Sequence, residues 1–191
     1  VNSIRISARR IENLVKSLRN FSRQSQGEME SVDLRNGLKD TLMILGNRLK
    51  NINVNLDLPA IPLVNCYSGE INQVWTNIIL NACDAMNGKG DLYVSCFSSS
   101  SGYVCVSIAD TGPGVPDKHK AQIFDTNFTT KTEGGEFGLG LGLSISKNII
   151  EKHQGSITVG DGPQGGAIFM VCLPAMPSAP IEKSIEEADL E

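Results

Sequence analysis

Apolar positions along the chain recur at helical spacing in some stretches and alternate in others, and the switches between the two patterns lay out the elements. Ile4, Ile11, Leu14, Leu18 and Phe21 are spaced 7, 3, 4 and 3, a heptad-like seam that predicts one helix over residues 1–23, about 35 Å long at the standard rise. It reads as a helix of a bundle or dimer, or as a surface helix folded onto the domain. The polar break QSQGEMES ends it. Asp33 is placed to cap a second helix over about residues 34–50, with Leu34, Leu38, Leu42, Leu45 and Leu49 on one face. NVNLDL alternates as a strand through Val54, Leu56 and Leu58, Pro59 and Pro62 punctuate it, and LVNC reads as a short strand. Ser68 is placed to cap a long helix to about Met86. LYVSCFS and YVCVSIAD, joined by SSSSG, read as a hairpin. Residues 111–137 read as loop, a helix begins near Leu143, and GSITV and AIFMVCL form a last strand pair around GDGPQGG. Helices with antiparallel strand pairs predict an α/β sandwich, one mixed sheet covered by helices on one face and preceded by the long N-terminal helix.

Length and composition add bounds. A chain of 191 residues, 40% hydrophobic and 20% charged, is the size and kind of one main globular domain with an appendage. The net charge of −4 excludes a protein that binds nucleic acid by its overall field. No apolar run reaches the ~20 residues that span a bilayer, so no membrane contact is expected of this stretch. The chain begins at Val1 rather than Met, so it is expected to be a piece of a longer protein whose membrane anchor, if present, lies outside it. Charge is unevenly spread. Residues 1–23 carry a local net of +5, whereas the tail after Pro174 sets five acids against Lys183 and reads as disordered or linker. Cys66, Cys83, Cys96, Cys105 and Cys172 are odd in number, with no pair closer than nine positions. They suggest neither a zinc site nor a disulfide framework, and most are read as small reduced core residues, in keeping with the cytosol.

Three stretches carry candidate chemistry. On GEINQVWTNIILNACDAM, Glu70, Gln73, Asn77, Asn81 and Asp84 fall in one narrow polar strip. Asparagine is a poor helix former, so two of them four apart ask for a reason. An amide oxygen suits magnesium and an amide nitrogen can donate to phosphate; a plain polar helix face is the other reading. VCVSIADTGPGVP runs a strand into Asp110, Gly112 and Gly114. The aspartate is either a turn residue or a carboxylate held to accept a bond from a buried amino group such as the amine of adenine, with glycines letting backbone approach a flat ring. GLGLGLS, residues 138–144, alternates like a strand but places glycine where strands are weakened by it. The repeat reads better as a phosphate cradle: amide N–H groups converge on an anion ahead of a helix N-terminus, and Leu139, Leu141 and Leu143 anchor the loop.

In order, NQVWTNIILNACDAM, DTGPGVP, IFDTNFTTK and GLGLGLS resemble the N, G1, F and G2 boxes of sensor histidine kinases, within the superfamily that includes DNA gyrase, the Hsp90 chaperones and MutL. The resemblance covers roughly residues 32–174 and implies the Bergerat two-layer α/β sandwich. It implies that ATP lies between the helices and a mobile lid at 115–137, with Asn81 as magnesium ligand and Asp110 beneath the adenine amine. The nucleotide-binding set it implies is Asn77, Asn81, Asp84, Asp110, Gly112, Gly114, Phe124, Thr130, Lys131, Gly138, Leu139, Gly140, Leu141, Gly142 and Leu143. LVKSLRNFSR resembles the second helix of the family's dimerisation hairpin, so 1–31 is read as part of that hairpin plus linker, 32–174 as the catalytic domain and 175–191 as tail. The implied cofactors are ATP and Mg2+, and the implied partners are a cognate response regulator and, through the N-terminal helix, a second copy. The first hairpin helix, with its phosphate-accepting histidine, is missing. His119 falls in the lid and His153 reads as a helix C-terminal residue.

Within the family, ATP-hydrolysing members typically have glutamate where this chain has Asn77, because water needs a base. A neutral imidazole nitrogen needs less help, so Asn77 suits transfer to histidine. Asn77, Asn81 and Lys131 are therefore the catalytic candidates. Many relatives carry lysine three positions after the second asparagine; this chain has Asp84, and Lys131 is read as the replacement cation or as a solvated loop lysine. DTNF stands where many relatives read EPFF, leaving Phe124 and Phe128 as apolar pins of the lid.

Overall fold

The computed structural model describes residues 28–126, 128 and 140–177. The expected N-terminal helix, most of the lid (Thr130 and Lys131 included), Gly138, Leu139 and the acidic tail lie outside the described residues. β1 (Glu30–Val32) pairs antiparallel with β3 (Val64–Cys66) in a small two-stranded sheet. The main sheet has five strands: β2 (Ile52–Asp57), β4 (Gly90–Ser98), β5 (Tyr103–Asp110), β6 (Ser156–Asp161) and β7 (Ala167–Pro174), in the order β2-β4-β5-β7-β6. β2 runs parallel to β4, and the other pairs are antiparallel, so the sheet is mixed as expected.

Three helices, α1 (Leu34–Ile44), α2 (Ser68–Ala85) and α4 (Gly142–Lys152), cover one face; a single turn, α3 (Asp117–Lys120), follows β5. Asp33 caps α1 as the sequence predicts, its carboxylate accepting from Arg35 N at 3.0 Å. α1 stops at Ile44 rather than near residue 50, where Gly46 and Asn47 favour turns. Leu49 is nonetheless buried, so the apolar spacing marked the core and not the helix end. Ser68 is already helical rather than the cap: Tyr67 holds that place with no side-chain bond, and Ser68 Oγ donates to Glu30 Oε1 at 2.6 Å. α2 ends where Asn87 and Gly88 turn left-handed and Gly88 N–H returns to Cys83 O.

The pleat decides what the helices meet. Leu92 and Val94 of β4, Val106 and Ile108 of β5, and Phe169 and Val171 of β7 point inward against Trp75, Ile71, Val74 and Ile78 of α2. Alternate residues face away. Two of them, Cys105 and Cys172, are opposed across β5 and β7 and form a disulfide, which corrects the expectation that the cysteines make no disulfide. The pair is 67 residues apart in sequence, and spacing cannot reveal a cross-strand register. Cys66, Cys83 and Cys96 are free and buried, and burial pushes the Cys66 thiol up to about 11. Closing a 67-residue span limits the unfolded chain. By chain entropy the bond contributes up to about 4 kcal/mol. Reduction with a dithiol is expected to lower the melting temperature by several degrees, read by calorimetry with and without reductant; an unchanged melt would contradict the bond's contribution.

Candidate functional site

Asp110 ends β5 as a buried carboxylate. Its Oδ1 accepts from Gly112 N at 2.8 Å and, across the sheet, from Ala167 N at 3.3 Å. Burial raises its pKa above the ordinary value, and the two backbone donors pull against that. Gly112 sits where a Cβ would lie 2.9 Å from Asp110 Oδ1 and 3.1 Å from Ala85 Cβ. The turn after Asp110 is thus pressed against the last residue of α2, and only a bare backbone fits between them. Gly114 lies beside Gly166 at the start of β7.

Gly166 is a site residue that the sequence reading missed. Its φ is +71°, and a Cβ there would overlap the Asp110 carbonyl. The doubled glycine of GDGPQGG was the available signal, since a close backbone approach has no other reason to demand two in a row. Gly166→Ala is expected to cost at least about 2 kcal/mol in urea denaturation, from the left-handed backbone and the overlap together. A cost under half that would show that the turn can relax.

The strip on α2 is divided by the structure. Asn77 donates from Nδ2 to Gly142 O at 2.9 Å and to Ser146 Oγ at 3.0 Å. It therefore fastens the start of α4 to α2. Both amide hydrogens are used there, so what remains for a ligand is its oxygen. Asn81, one turn on, is half-buried, and among the described residues its amide makes no hydrogen bond. Asp84, a further turn on, meets the Arg48 guanidinium. Glu70 faces elsewhere: it is buried, and Oε1 accepts from Lys152 Nζ at 2.7 Å near the far end of α4. That removes Glu70 as a base beside Asn77.

α4 begins at Gly142, one residue earlier than the sequence suggests, with Leu141 ahead of it and no side-chain cap. Leu141 O accepts from Ile145 N and Ser144 Oγ, and Leu143 packs on the core. Gly140 has a φ of +66°, a left-handed bend entering the helix. The opening N–H groups of α4 carry the positive end of the helix dipole. Phe124 packs edge-on to Phe169 at 6.4 Å, and Phe128 is tilted against His119 at 5.3 Å, so both aromatic pins are seated beside β7 and α3. His153 is structural, as expected: its Nδ1–H donates to Ile149 O at 2.7 Å and its Nε2 accepts from Tyr67 N at 3.1 Å, tying α4 to the start of α2.

The arrangement is continuous. From Asp110 through Gly112 to Ala85, then back along α2 to Asn77 and Gly142, it runs eight helical residues, about 12 Å at the standard rise. A buried acceptor lies at one end and a helix N-terminus at the other. No described group of His, Cys, Asp or Glu gathers as a metal cluster. No described helix is long and apolar enough to cross a membrane.

Residues 67–177 match the family described as histidine kinase-, DNA gyrase B- and HSP90-like ATPases. Sporulation kinase E of Bacillus subtilis (strain 168) is 30% identical over 181 residues, which are 93% of this chain and 24% of that protein. The signal transduction histidine-protein kinase AtoS of Escherichia coli (strain K12) is 32% identical over 171 residues, 87% of this chain and 27% of that protein. This chain thus spans about a quarter of the length of each. Among solved structures, the catalytic domain of histidine kinase ThkA superposes with a TM-score of 0.70 at 28% identity, covering 78% of this chain and 97% of that one. Full-length ShkA, solved in complex with AMPPNP, gives 0.74 at 26% identity, covering 94% of this chain and 39% of that one. With the matched span taking in α2, the Asp110 turn, α4 and the closing strands, the chain belongs to the family of histidine kinase-, DNA gyrase B- and HSP90-like ATPases, and its relatives there are sensor histidine kinases.

Proposed function

We propose that the chain is the ATP-binding catalytic domain of a two-component sensor kinase, which transfers the γ-phosphoryl group of ATP to a histidine on a dimerisation hairpin. The observation that carries this reading is the continuous path from the buried Asp110 carboxylate along α2 to the start of α4. ShkA, a similar chain, was solved with an ATP analogue, which supports the same ligand here.

Each residue has a role in this reading. Asp110 accepts from the adenine amine through the oxygen not held by Gly112 and Ala167. Gly112 lets the ring lie against the backbone. The opening turn of α4 and the bend at Gly140 receive phosphates, held in place by Asn77. The uncommitted amide of Asn81 fits a hard cation by its neutral oxygen, so Asn81 is the residue to hold magnesium. When bound, magnesium supplies charge neutralisation between phosphate oxygens. The protein's own share is to fix the phosphoryl group in line with an incoming imidazole, and most catalysis in such transfers is positioning and electrostatics. With amide rather than carboxylate at position 77, and Glu70 bound to Lys152, no carboxylate among the described residues stands beside Asn77 as a base for water. Transfer to histidine is therefore favoured over hydrolysis.

The domain limits at 31 and 174, a second copy joined through residues 1–23, a cognate response regulator, a contact from Lys131 or Thr130, and a cytoplasmic location belong to this proposal. The deciding experiment adds Mg-ATP to the chain with and without a separate histidine-bearing hairpin. Phosphate is expected on the hairpin, with little free phosphate when the hairpin is absent. Steady phosphate release without it would mean an ATPase that uses nucleotide as a switch, and no binding of any adenine nucleotide would mean a docking module.

A further inference from the structure

α4 carries two buried serines near its start, and they are used differently. Ser144 Oγ donates to Leu141 O at 3.0 Å, one turn back along the same segment. Ser146, fully buried, donates to Gly142 O at 2.9 Å, and that bond already takes up its proton. Its oxygen has a second partner from another helix: it accepts from Asn77 Nδ2 of α2 at 3.0 Å, while the same Nδ2 reaches Gly142 O at 2.9 Å. Three polar atoms from two helices thus close a triangle, and its polarity is fixed by chemistry. A carbonyl only accepts, so the Ser146 proton and the Asn77 nitrogen both face it. With its proton committed, Ser146 meets Asn77 as an acceptor. Both partners therefore demand the nitrogen side of the amide, which turns the Asn77 oxygen the other way. A single acceptor would let the amide swing about one bond; two hold it in one orientation. The approach is close: a Cβ on Gly142 would lie 3.5 Å from Asn77 Cγ and 3.6 Å from its Oδ1. Helix stability gives no reason for the hydroxyl. Alanine is the better helix former by about 0.5 kcal/mol, and it would bury nothing polar. A serine bonded back to the preceding turn slightly weakens its helix.

We propose that Ser146 is a positioning residue for the phosphate end of the nucleotide: it locks the Asn77 amide against the Gly142 carbonyl, so that the opening turn of α4 keeps its N–H groups aimed at phosphate and the Asn77 oxygen stays free for the ligand. The inference rests on reading the start of α4 as the phosphate site. Ser146 touches no ligand in this account and acts through Asn77.

The test is a set of binding titrations of the whole chain with Mg-ATP and with adenosine, using Ser146→Ala, Asn77→Ala and the double variant. Ser146→Ala is expected to weaken Mg-ATP binding about fivefold, the effect of one lost buried hydrogen bond felt where the phosphates sit. Adenosine affinity should stay within about twofold, because its contacts end at Asp110, ~12 Å away along α2. Ser146→Cys, which keeps a side chain there but bonds only weakly, should show the same split between the two ligands. In the Asn77→Ala background, Ser146→Ala should cost Mg-ATP less than about twofold more, since the residue it acts through is gone. Unchanged ATP affinity in Ser146→Ala would overturn the proposal. So would a parallel loss of ATP and adenosine, which marks a general loosening of the fold, or an undiminished fivefold loss in the Asn77→Ala background, which marks an action independent of Asn77. A wild-type chain that binds no ATP would overturn the nucleotide reading itself, and the proposal with it, and is told apart by failing before any substitution is made.

Discussion

Asp110→Asn is expected to weaken ATP binding at least tenfold without destabilising the fold. The amide keeps an oxygen that can accept from Gly112 N and Ala167 N, so the turn survives. What changes is the other atom. An N–H group now faces the adenine amine, donor against donor, and the buried pair left unsatisfied costs more than the bond itself contributed. Stability moves the other way. Burial raises the Asp110 pKa above its ordinary 3.8, so the folded state disfavours the charged carboxylate. The stabilising contribution of a raised acid is full below the unfolded pKa and is lost as pH rises through the folded one. The variant should therefore melt at or above the wild type at neutral pH, and that gain should vanish below about pH 3.8. Equal ATP affinity in the two proteins would take Asp110 out of the site. A lower neutral melting temperature would contradict the burial account.

Asn81→Ala should abolish magnesium-dependent transfer to an added histidine hairpin while leaving adenosine binding nearly intact. Its amide makes no hydrogen bond among the described residues, so its removal strands no partner. Alanine is also the better helix former by about 0.5 kcal/mol, and the helix should hold or gain. Loss of transfer in a protein that melts no earlier is the expected pairing. Undiminished phosphorylation of the hairpin would remove Asn81 as the metal ligand. Asn77→Ala gives a useful contrast, because it removes the two bonds that fasten the start of α4 to α2, and so should lower stability as well as transfer.

Much of this was legible in the chain, because local pattern and local chemistry agreed. Alternation in LYVSCFS and YVCVSIAD matches β4 and β5, and the leucines of 34–49 are on the core side even where α1 has ended. Asp33, Asp110 and the asparagine strip stood out because their residue types are costly where they occur. What could not be read was contact between distant segments. Cys105 meets Cys172 only through the β5–β7 register, Gly166 crowds Asp110 across the same strands, and Arg48 reaches Asp84 from another turn. The ion pair of Glu70 with Lys152 is another such contact, joining the strip of α2 to the far end of α4.

The ladder between β5 and β7 is fastened at both ends. On the face turned away from the helices the Cys105–Cys172 bridge joins them, and five residues along each strand the Asp110 carboxylate takes the Ala167 N–H. Sliding one strand past the other would break a covalent link or strand a buried acid. The sheet beneath the Asp110 turn is in effect a single plate. Whatever yielding accompanies ligand entry and departure falls instead to the opening of α4, which Asn77 fastens to α2 while Lys152 and His153 hold its far end.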